Sequence, residues 1–215
     1  MKVAALIPAA GDGLRLGRGP KALVTVAGEA LLSRSVRAFV GLVDEVVVAA
    51  PPIMRGELEF SPEVHQVPGG ATRQESVYNL LRATDAEIVL IHDAARPFLA
   101  RRVVENVIAA VKTHGAASAV AAVADTLIEA NTGRVIDRQA LRAVQTPQGF
   151  RRELILAAHE HALRSQHAAT DDAALVRALG HEVALVEGSS WLLKVTTRAD
   201  LELAEALATV WDARC

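Results

Sequence analysis

The residues best suited to chemistry stand near the start of the chain. A short apolar run leads into Pro8-Ala9-Ala10-Gly11-Asp12-Gly13-Leu14-Arg15-Leu16 and on through Gly17-Arg18-Gly19-Pro20-Lys21. Four glycines in this segment leave the backbone unshielded, so N–H groups can approach an anion, while Arg15 and Lys21 add positive charge to the same loop. Two familiar phosphate loops do not fit. The dinucleotide pattern G-x-G-x-x-G meets Leu16 where its third glycine belongs, and the strand ending at Ala49-Ala50 supplies no acid for a ribose. The Walker A pattern fails because Pro20 separates Gly19 from Lys21, and Ala22 stands where Ser or Thr would hold magnesium.

Three later segments offer compatible groups. His92-Asp93-Ala94-Ala95-Arg96-Pro97 follows another apolar run and sets an acid and a base at a second strand end. Asp93 there suits either a magnesium ion bridging phosphates or an ion pair with Arg96. His92 reads as a packed histidine, since no second His or Cys stands at metal-ligand spacing. Gly69-Gly70-Ala71-Thr72-Arg73-Gln74-Glu75-Ser76 places a glycine pair before a helix, which serves an anion or a base edge as readily as a plain turn and N-cap. Lys194, in Leu192-Leu193-Lys194-Val195-Thr196, follows a strand-like run and taken alone reads as an exposed lysine.

The elements that must hold these groups alternate. Apolar runs at residues 3–7, 46–49 and 88–91 are separated by amphipathic stretches at 31–40, 73–84 and 103–111, a βαβ rhythm. The runs are continuously apolar, as in a sheet covered by helices on both faces. The expected fold is therefore α/β: a three-layer, mostly parallel, Rossmann-like sheet in one domain over residues 1–215. A helix is expected over 151–164, after a stop at Thr146-Pro147, and another after the capping box at Thr197 and Asp200. Residues 125–130 and 134–138 flank Asn131-Thr132-Gly133 and read as an inserted β-hairpin arm, about 125–146, either a surface hairpin or an arm reaching a neighbouring subunit.

Composition narrows the partners. Of 215 residues, 51% are hydrophobic and 22% charged, which favours a packed core over disorder. A net charge of −2 and 3% aromatics argue against nucleic-acid binding, since neither a basic stripe nor a stacking platform is present. No apolar stretch approaches the roughly 20 residues of a membrane span. The lone cysteine, Cys215, forms no intrachain disulfide and fits a reducing, cytoplasmic setting.

Taken together and in order, these motifs resemble those of the 2-C-methyl-D-erythritol 4-phosphate cytidylyltransferase family. The resemblance spans nearly the whole chain and rests on the first loop, Pro20-Lys21, Gly69-Gly70 with Arg73 and Ser76, residues 92–97, Asp125-Thr126, Thr146-Pro147-Gln148, Thr170-Asp171 and Lys194-Val195-Thr196. It implies that the phosphate of methylerythritol phosphate attacks the α-phosphorus of cytidine triphosphate (CTP) and that pyrophosphate leaves. The attacking oxygen is already ionised, so the protein's task is positioning and charge stabilisation. By this resemblance Arg15 and Lys21 are catalytic. Ala9, Ala10, Gly11, Gly13, Gly69, Gly70, Arg73, Ser76 and Ala94 bind the nucleotide, and Asp93 binds Mg2+. Arg138, Lys194, Thr126 and Thr170 position the phosphorylated polyol, and a homodimer forms through the arm. The chain departs from the family pattern at Trp191-Leu192-Leu193, where the approach to Lys194 is usually more polar, and at Leu16, where Met is common. Cytidylyl transfer to ribitol phosphate or another sugar or polyol phosphate, action on a pterin cofactor, and a nonenzymatic nucleotide sensor are the alternatives; Arg15, Lys21 and Asp93 together count against the sensor.

Overall fold

A computed structural model describes residues 1–11, 20–51 and 64–214. Arg15 and Gly13 lie outside the described residues. The central sheet has seven strands: β1 (Val3–Pro8), β4 (Glu45–Ala50), β5 (Val64–Pro68), β6 (Ile88–Ile91), β7 (Ala116–Ala122), β10 (Arg142–Arg151) and β11 (Ala184–Glu187). Two short hairpins complete the set, β2 (Thr25–Val26) with β3 (Glu29–Ala30) and β8 (Leu127–Ile128) with β9 (Val135–Ile136). The sheet order is β11-β7-β10-β6-β1-β4-β5, and every strand in it is parallel except β10, which runs antiparallel to both β6 and β7.

Strand alternation explains the continuous apolar runs. Val3, Ala5 and Ile7 of β1 face one cluster with Leu32 and Val36 of α1 (Leu31–Arg37) and Val103, Val107 and Val111 of α3 (Arg101–His114). Ala4 and Leu6 face the other side, against Val77 and Leu80 of α2 (Arg73–Arg82), Ile155 and Ala158 of α4 (Arg152–Ser165) and Val176 of α5 (Asp172–Ala178). Both faces are dry, so both parities of the strand must be apolar. The expected three-layer, mostly parallel α/β architecture is what the chain adopts.

The topology also fixes where a ligand can sit. From β1 the chain adds β4 and then β5 on one side, and afterwards crosses back to lay β6 on the other side of β1. Connections thus diverge between β1 and β6, and the carboxyl ends of these strands open onto one crevice, the usual ligand position in such sheets. The loop leaving β1 and the segments after β5 and β6, all singled out from sequence, share that edge.

Two expectations need correction. The Thr146-Pro147 pair does not end an element: β10 runs through it, with a register shift against β7 between Val144 and Gln148. A bulge tolerates a residue without a donor, so proline is admitted mid-strand. The arm accordingly ends before Arg142 instead of reaching residue 146, and its paired strands are only two residues each. The last helix, α6 (Arg198–Asp212), starts at the expected capping box, where the Thr197 side chain accepts from the Asp200 N–H and Asp200 accepts from the Thr197 N–H. Its far end is tied down by Asp212, which receives two hydrogen bonds from the buried Arg34 at 2.8 and 2.9 Å, while Arg34 Nε donates to the Val26 carbonyl. In this way α6 braces the β2–β3 hairpin just beyond Lys21.

Helix α3 lies directly on Gly149 of β10: a Cβ added there would meet Val107 at 2.6 Å, Val111 at 2.7 Å and Leu90 at 2.9 Å. Gly149→Ala is therefore expected to destabilise the fold by about 1–3 kcal/mol through overpacking. Denaturant unfolding reads this directly, and an unchanged midpoint would show that the helix–sheet contact has slack.

Candidate active site

At the shared strand edge lies a cavity of about 590 Å³. Pro8, Ala9, Ala10 and Gly11 line one wall, Gly69 to Arg73 with Ser76 a second, and Asp93, Ala94 and Ala95 a third, with Lys21 and Lys194 also on its surface. Nucleotide-binding residues expected within the described segments, together with Asp93, Lys21 and Lys194, thus converge. Arg138, Thr126 and Thr170 do not line it and are exposed on the protomer surface; Arg138 donates to the Ala124 carbonyl at the base of the arm. The second-substrate set expected from the resemblance is therefore divided within one protomer.

The glycine pair has a steric cause. A Cβ on Gly69 would stand 2.3 Å from Cβ of Ala10, and one on Gly70 would stand 2.4 Å from Cγ of Glu75. Only bare backbone lets the segment after β5 close against the segment after β1. Ser76 then stitches the turn, accepting from the Gly70 N–H at 3.0 Å and donating to the Thr72 carbonyl at 2.9 Å, while Thr72 caps α2 by accepting from the Glu75 N–H. Lys21 opens a single 3-10 turn, Lys21–Leu23, whose Ala22 is buried, and its N–H reaches the Gly11 carbonyl at 3.4 Å, bringing the two described ends of the first loop together.

Asp93 is the electrostatic centre. Its Oδ2 lies 2.7 Å from Lys194 Nζ and 3.9 Å from Arg96 Nε, and its Oδ1 lies 3.3 Å from Arg73 Nε. The pairing with Arg96 expected from sequence is the longest of the three contacts. Burial alone would raise the carboxyl's pKa, but the charges of Arg73, Lys194 and Arg96 outweigh it and hold the group far below the usual carboxylate range. Arg73 carries the reciprocal effect: burial disfavours its charge, and Asp172 and Asp93 more than restore it, so it stays fully protonated.

His92 is buried, as its sequence context implied, and burial pushes its pKa down to about 4, so the ring is neutral near pH 7. A carbonyl can only accept, so the ring's Nε2–H donates to the Arg96 carbonyl at 3.1 Å. Nδ1 then accepts from the Thr146 hydroxyl at 3.0 Å, and that hydroxyl oxygen accepts the Asp93 N–H, also at 3.0 Å. This chain of bonds fixes the backbone that presents Asp93. The unusual Leu192-Leu193 approach to Lys194 has a packing role as well. Leu192 is fully buried and its carbonyl accepts from Arg96, while the Trp191 ring packs against Trp211 of α6 with centroids 5.4 Å apart.

Several supporting residues escaped the sequence reading. His159 and Asp172 act only through long-range contacts, and the one local hint was a histidine on the buried face of α4 among Ile155, Ala158 and Ala162. Thr146 belongs to a motif picked out from sequence, but its bonds to His92 and Asp93 are visible only in the fold. Asp171 caps α5 by accepting from the Ala174 N–H and also receives Gln148 Nε2. Among the described residues no group of three or more His, Cys, Asp or Glu is placed to hold a metal, and no helix is long and apolar enough to cross a membrane.

Comparison with known proteins fixes what such a cavity belongs to. The family model for 2-C-methyl-D-erythritol 4-phosphate cytidylyltransferase matches residues 3–210. The chain belongs to this family. A relative from Deinococcus radiodurans carrying that name is 54% identical over 209 residues, covering 96% of this chain and 89% of its own length. Another from Thermus thermophilus is 50% identical, covering 99% of this chain and 100% of its own. The crystal structure of the cytidylyltransferase from Thermus thermophilus superposes with a TM-score of 0.87 at 47% identity, over 97% of this chain and 100% of that one. That of 4-diphosphocytidyl-2C-methyl-D-erythritol synthase from Anaerococcus prevotii gives 0.85 at 27% identity, over 97% and 98%. The chain is thus a nucleotidyltransferase, and its cation-lined cavity lies where this cytidylyltransferase fold presents the ends of its parallel strands.

Because the folded-state pKa of Asp93 is depressed, its ionisation stabilises the fold above the unfolded carboxylate value near 4 and ceases to do so as the pH falls toward the folded value. Asp93→Asn is expected to lower stability at pH 7 by about 2–4 kcal/mol, removing the carboxylate partner of Lys194 and one of the two that face Arg73. The difference from the unaltered protein narrows below about pH 4. A gap that stayed constant from about pH 7 to about pH 3 would mean that the carboxylate charge is not what holds the cluster.

Proposed function

We propose that this cavity transfers the cytidylyl group of CTP to 2-C-methyl-D-erythritol 4-phosphate, releasing pyrophosphate, with residue roles that follow from the charges converging on it. The carrying observation is that Lys21, Arg73, Lys194 and Asp93 meet at one strand edge whose walls are backbone and small side chains. The reaction is the family's, a step of isoprenoid precursor biosynthesis. The acceptor phosphate is itself the nucleophile, so no side chain need remove a proton, and the rate gain comes from alignment and from cations facing the charge that builds on the triphosphate. Lys21 has this second task, and Arg15 on the same loop shares it. Ala9, Ala10, Gly11 and Gly13 cradle phosphates, while Gly69, Gly70, Arg73, Ser76 and Ala94 shape the nucleoside end.

Asp93 is the one carboxylate among the described residues lining the cavity. Magnesium is held by one or two carboxylates together with substrate phosphates and water, so this donor set fits an ion that arrives largely with the triphosphate. Asp93 would hold it, and when bound it supplies further neutralisation of phosphate charge.

The arm suggests a second copy of the chain. Leu127, Ile128 and Val135 on its strands are exposed, the last two by 60% and 65%, as is Val144 where β10 leaves it. Such residues on a two-stranded hairpin are stabilised by burial elsewhere. In this reading the arm docks on a partner and brings Arg138, with Thr126, to the partner's acceptor site, where Lys194 and Thr170 meet the substrate from the other protomer. One domain then supplies the nucleotide half of each site. The cytoplasmic setting expected from Cys215 belongs to the same reading.

Pyrophosphate release in magnesium buffer with CTP and methylerythritol phosphate tests the reaction, and faster turnover with ribitol phosphate would overturn the acceptor assignment. Lys21→Ala is expected to lower kcat by about 10²–10³-fold with little change in KM; equal losses in binding and turnover would remove it from the transition state. Arg138→Ala is expected to raise the acceptor KM and leave that of CTP unchanged. Assayed with the acceptor far below the KM of the Arg138→Ala enzyme, co-expressed Lys21→Ala and Arg138→Ala chains should restore about a quarter of full activity, since half the dimers are mixed and each has one intact site. No recovery in purified mixed dimers would place the arm in its own protomer's site.

A further inference from the structure

Behind the cavity wall, Arg73 leads to two charged or polar groups that the proposed reaction does not use, Asp172 and His159. Arg73, the first residue of α2, reaches two carboxylates at once: Nε faces Asp93 Oδ1 at 3.3 Å, and Nη1 faces Asp172 Oδ2 at 2.8 Å. Asp172 opens α5, its side chain is 2% exposed, and its Oδ1 lies 3.1 Å from Nε2 of His159, a fully buried ring on α4. Burial would raise the Asp172 pKa, yet the charge of Arg73 and the bond from His159 keep the group ionised. Asp172 Oδ2 makes no well-angled hydrogen bond among the described residues and meets Arg73 as an ion pair. Among the described residues, Arg73 is the cation that neutralises that oxygen.

An ionised carboxylate so deeply buried cannot be left without its counter-charge. Arg73 is therefore obliged to stay where it is, with one edge of its guanidinium on Asp172 and the other on Asp93. Lys194, on the opposite Asp93 oxygen, is the more exposed of the two cations, at 42% against 34%, and it has no second carboxylate within ion-pair distance among the described residues. We infer that Asp172, oriented by His159, is a positioning residue: it pins Arg73 across Asp93, so that Asp93 keeps one fixed cation while Lys194 exchanges from the carboxylate to incoming phosphate. The arrangement rests on the cytidylyl-transfer reading above. It deepens that reading by assigning different duties to the two cations, one holding the carboxylate and the other serving the substrate.

A residue that merely stabilised the fold would act independently of Arg73, whereas a positioning residue acts through it. The test is a double-mutant cycle on kcat/KM for CTP, using the full-length protein with far-UV circular dichroism as the folding control. Asp172→Asn in the unaltered chain is expected to raise the KM for CTP about 10-fold and leave the acceptor KM unchanged, a typical cost for removing an outer support. In an Arg73→Gln background the same change should cost less than about 2-fold. Arg73→Lys, at a half-buried helix start where it still supplies the counter-charge to Asp172, keeps the charge but has one nitrogen for two carboxylates, so it should lose about 10-fold as well. His159→Gln, which retains an N–H toward Asp172, should stay within about 3-fold of the unaltered enzyme, and His159→Leu should not.

Additive losses in the cycle would overturn the inference, and so would Arg73→Lys at full activity. If Asp172→Asn fails to fold, the Arg73→Lys and His159 pair decides the matter alone. Turnover of the unaltered enzyme keeps the two claims apart: without it the reaction assignment fails, and with it the variants judge only the positioning role.

Discussion

One carboxylate holds the site together. Cations gathered to meet a triphosphate repel each other, and the repulsion is strongest before the ligand arrives. Asp93 resolves this by lying between Arg73 and Lys194, with Arg96 beyond. The rest of the architecture can be understood as support for that one group: β6 delivers it to the sheet edge, His92 and Thr146 fix its backbone, and α2, α4 and α5 secure the arginine on its far side. The cations are thereby gathered at the site before a ligand arrives.

This arrangement depends on the reversal in strand order. Because β1 and β6 are neighbours whose onward connections diverge, the chain ends of both open into the same space, and segments distant in sequence become opposing walls. The antiparallel β10 adds a requirement of its own. Thr146 can bond to the Asp93 amide only because the strand continues through Pro147, and it does so with a shift in register against β7.

Much of this was legible in the residues. Continuous apolar runs gave β1, β4 and β6, since a sheet covered on both faces leaves no polar parity, and the Thr197–Asp200 box marked the start of α6 to the residue. Other elements were hidden for physical reasons. Strand β7 is Ala116–Ala122, largely alanine, whose weak strand preference is overridden by pairing on both sides with β10 and β11. Pro147 read as a terminator because local rules do not anticipate a bulge. At the site, the glycine pairs, Lys21 and Asp93 could be singled out because each carries a local signal. Lys194 could not be distinguished from a solvated lysine by its neighbours alone, as its partner Asp93 stands far earlier in the chain. Asp172 and His159 gain meaning only from a contact between helices.

The walls of the cavity are mostly alanine, glycine and proline, and at Gly69 the gap to Ala10 is too small even for a methyl group. A surface of this kind presents main chain to its ligand, and main-chain groups survive nearly every substitution. Sequence drift along these walls can therefore add atoms but can hardly delete a binding group, so tolerance there is one-sided. Added bulk is what would spoil such a cradle, and changes of ligand preference fall instead to the few long side chains at its rim.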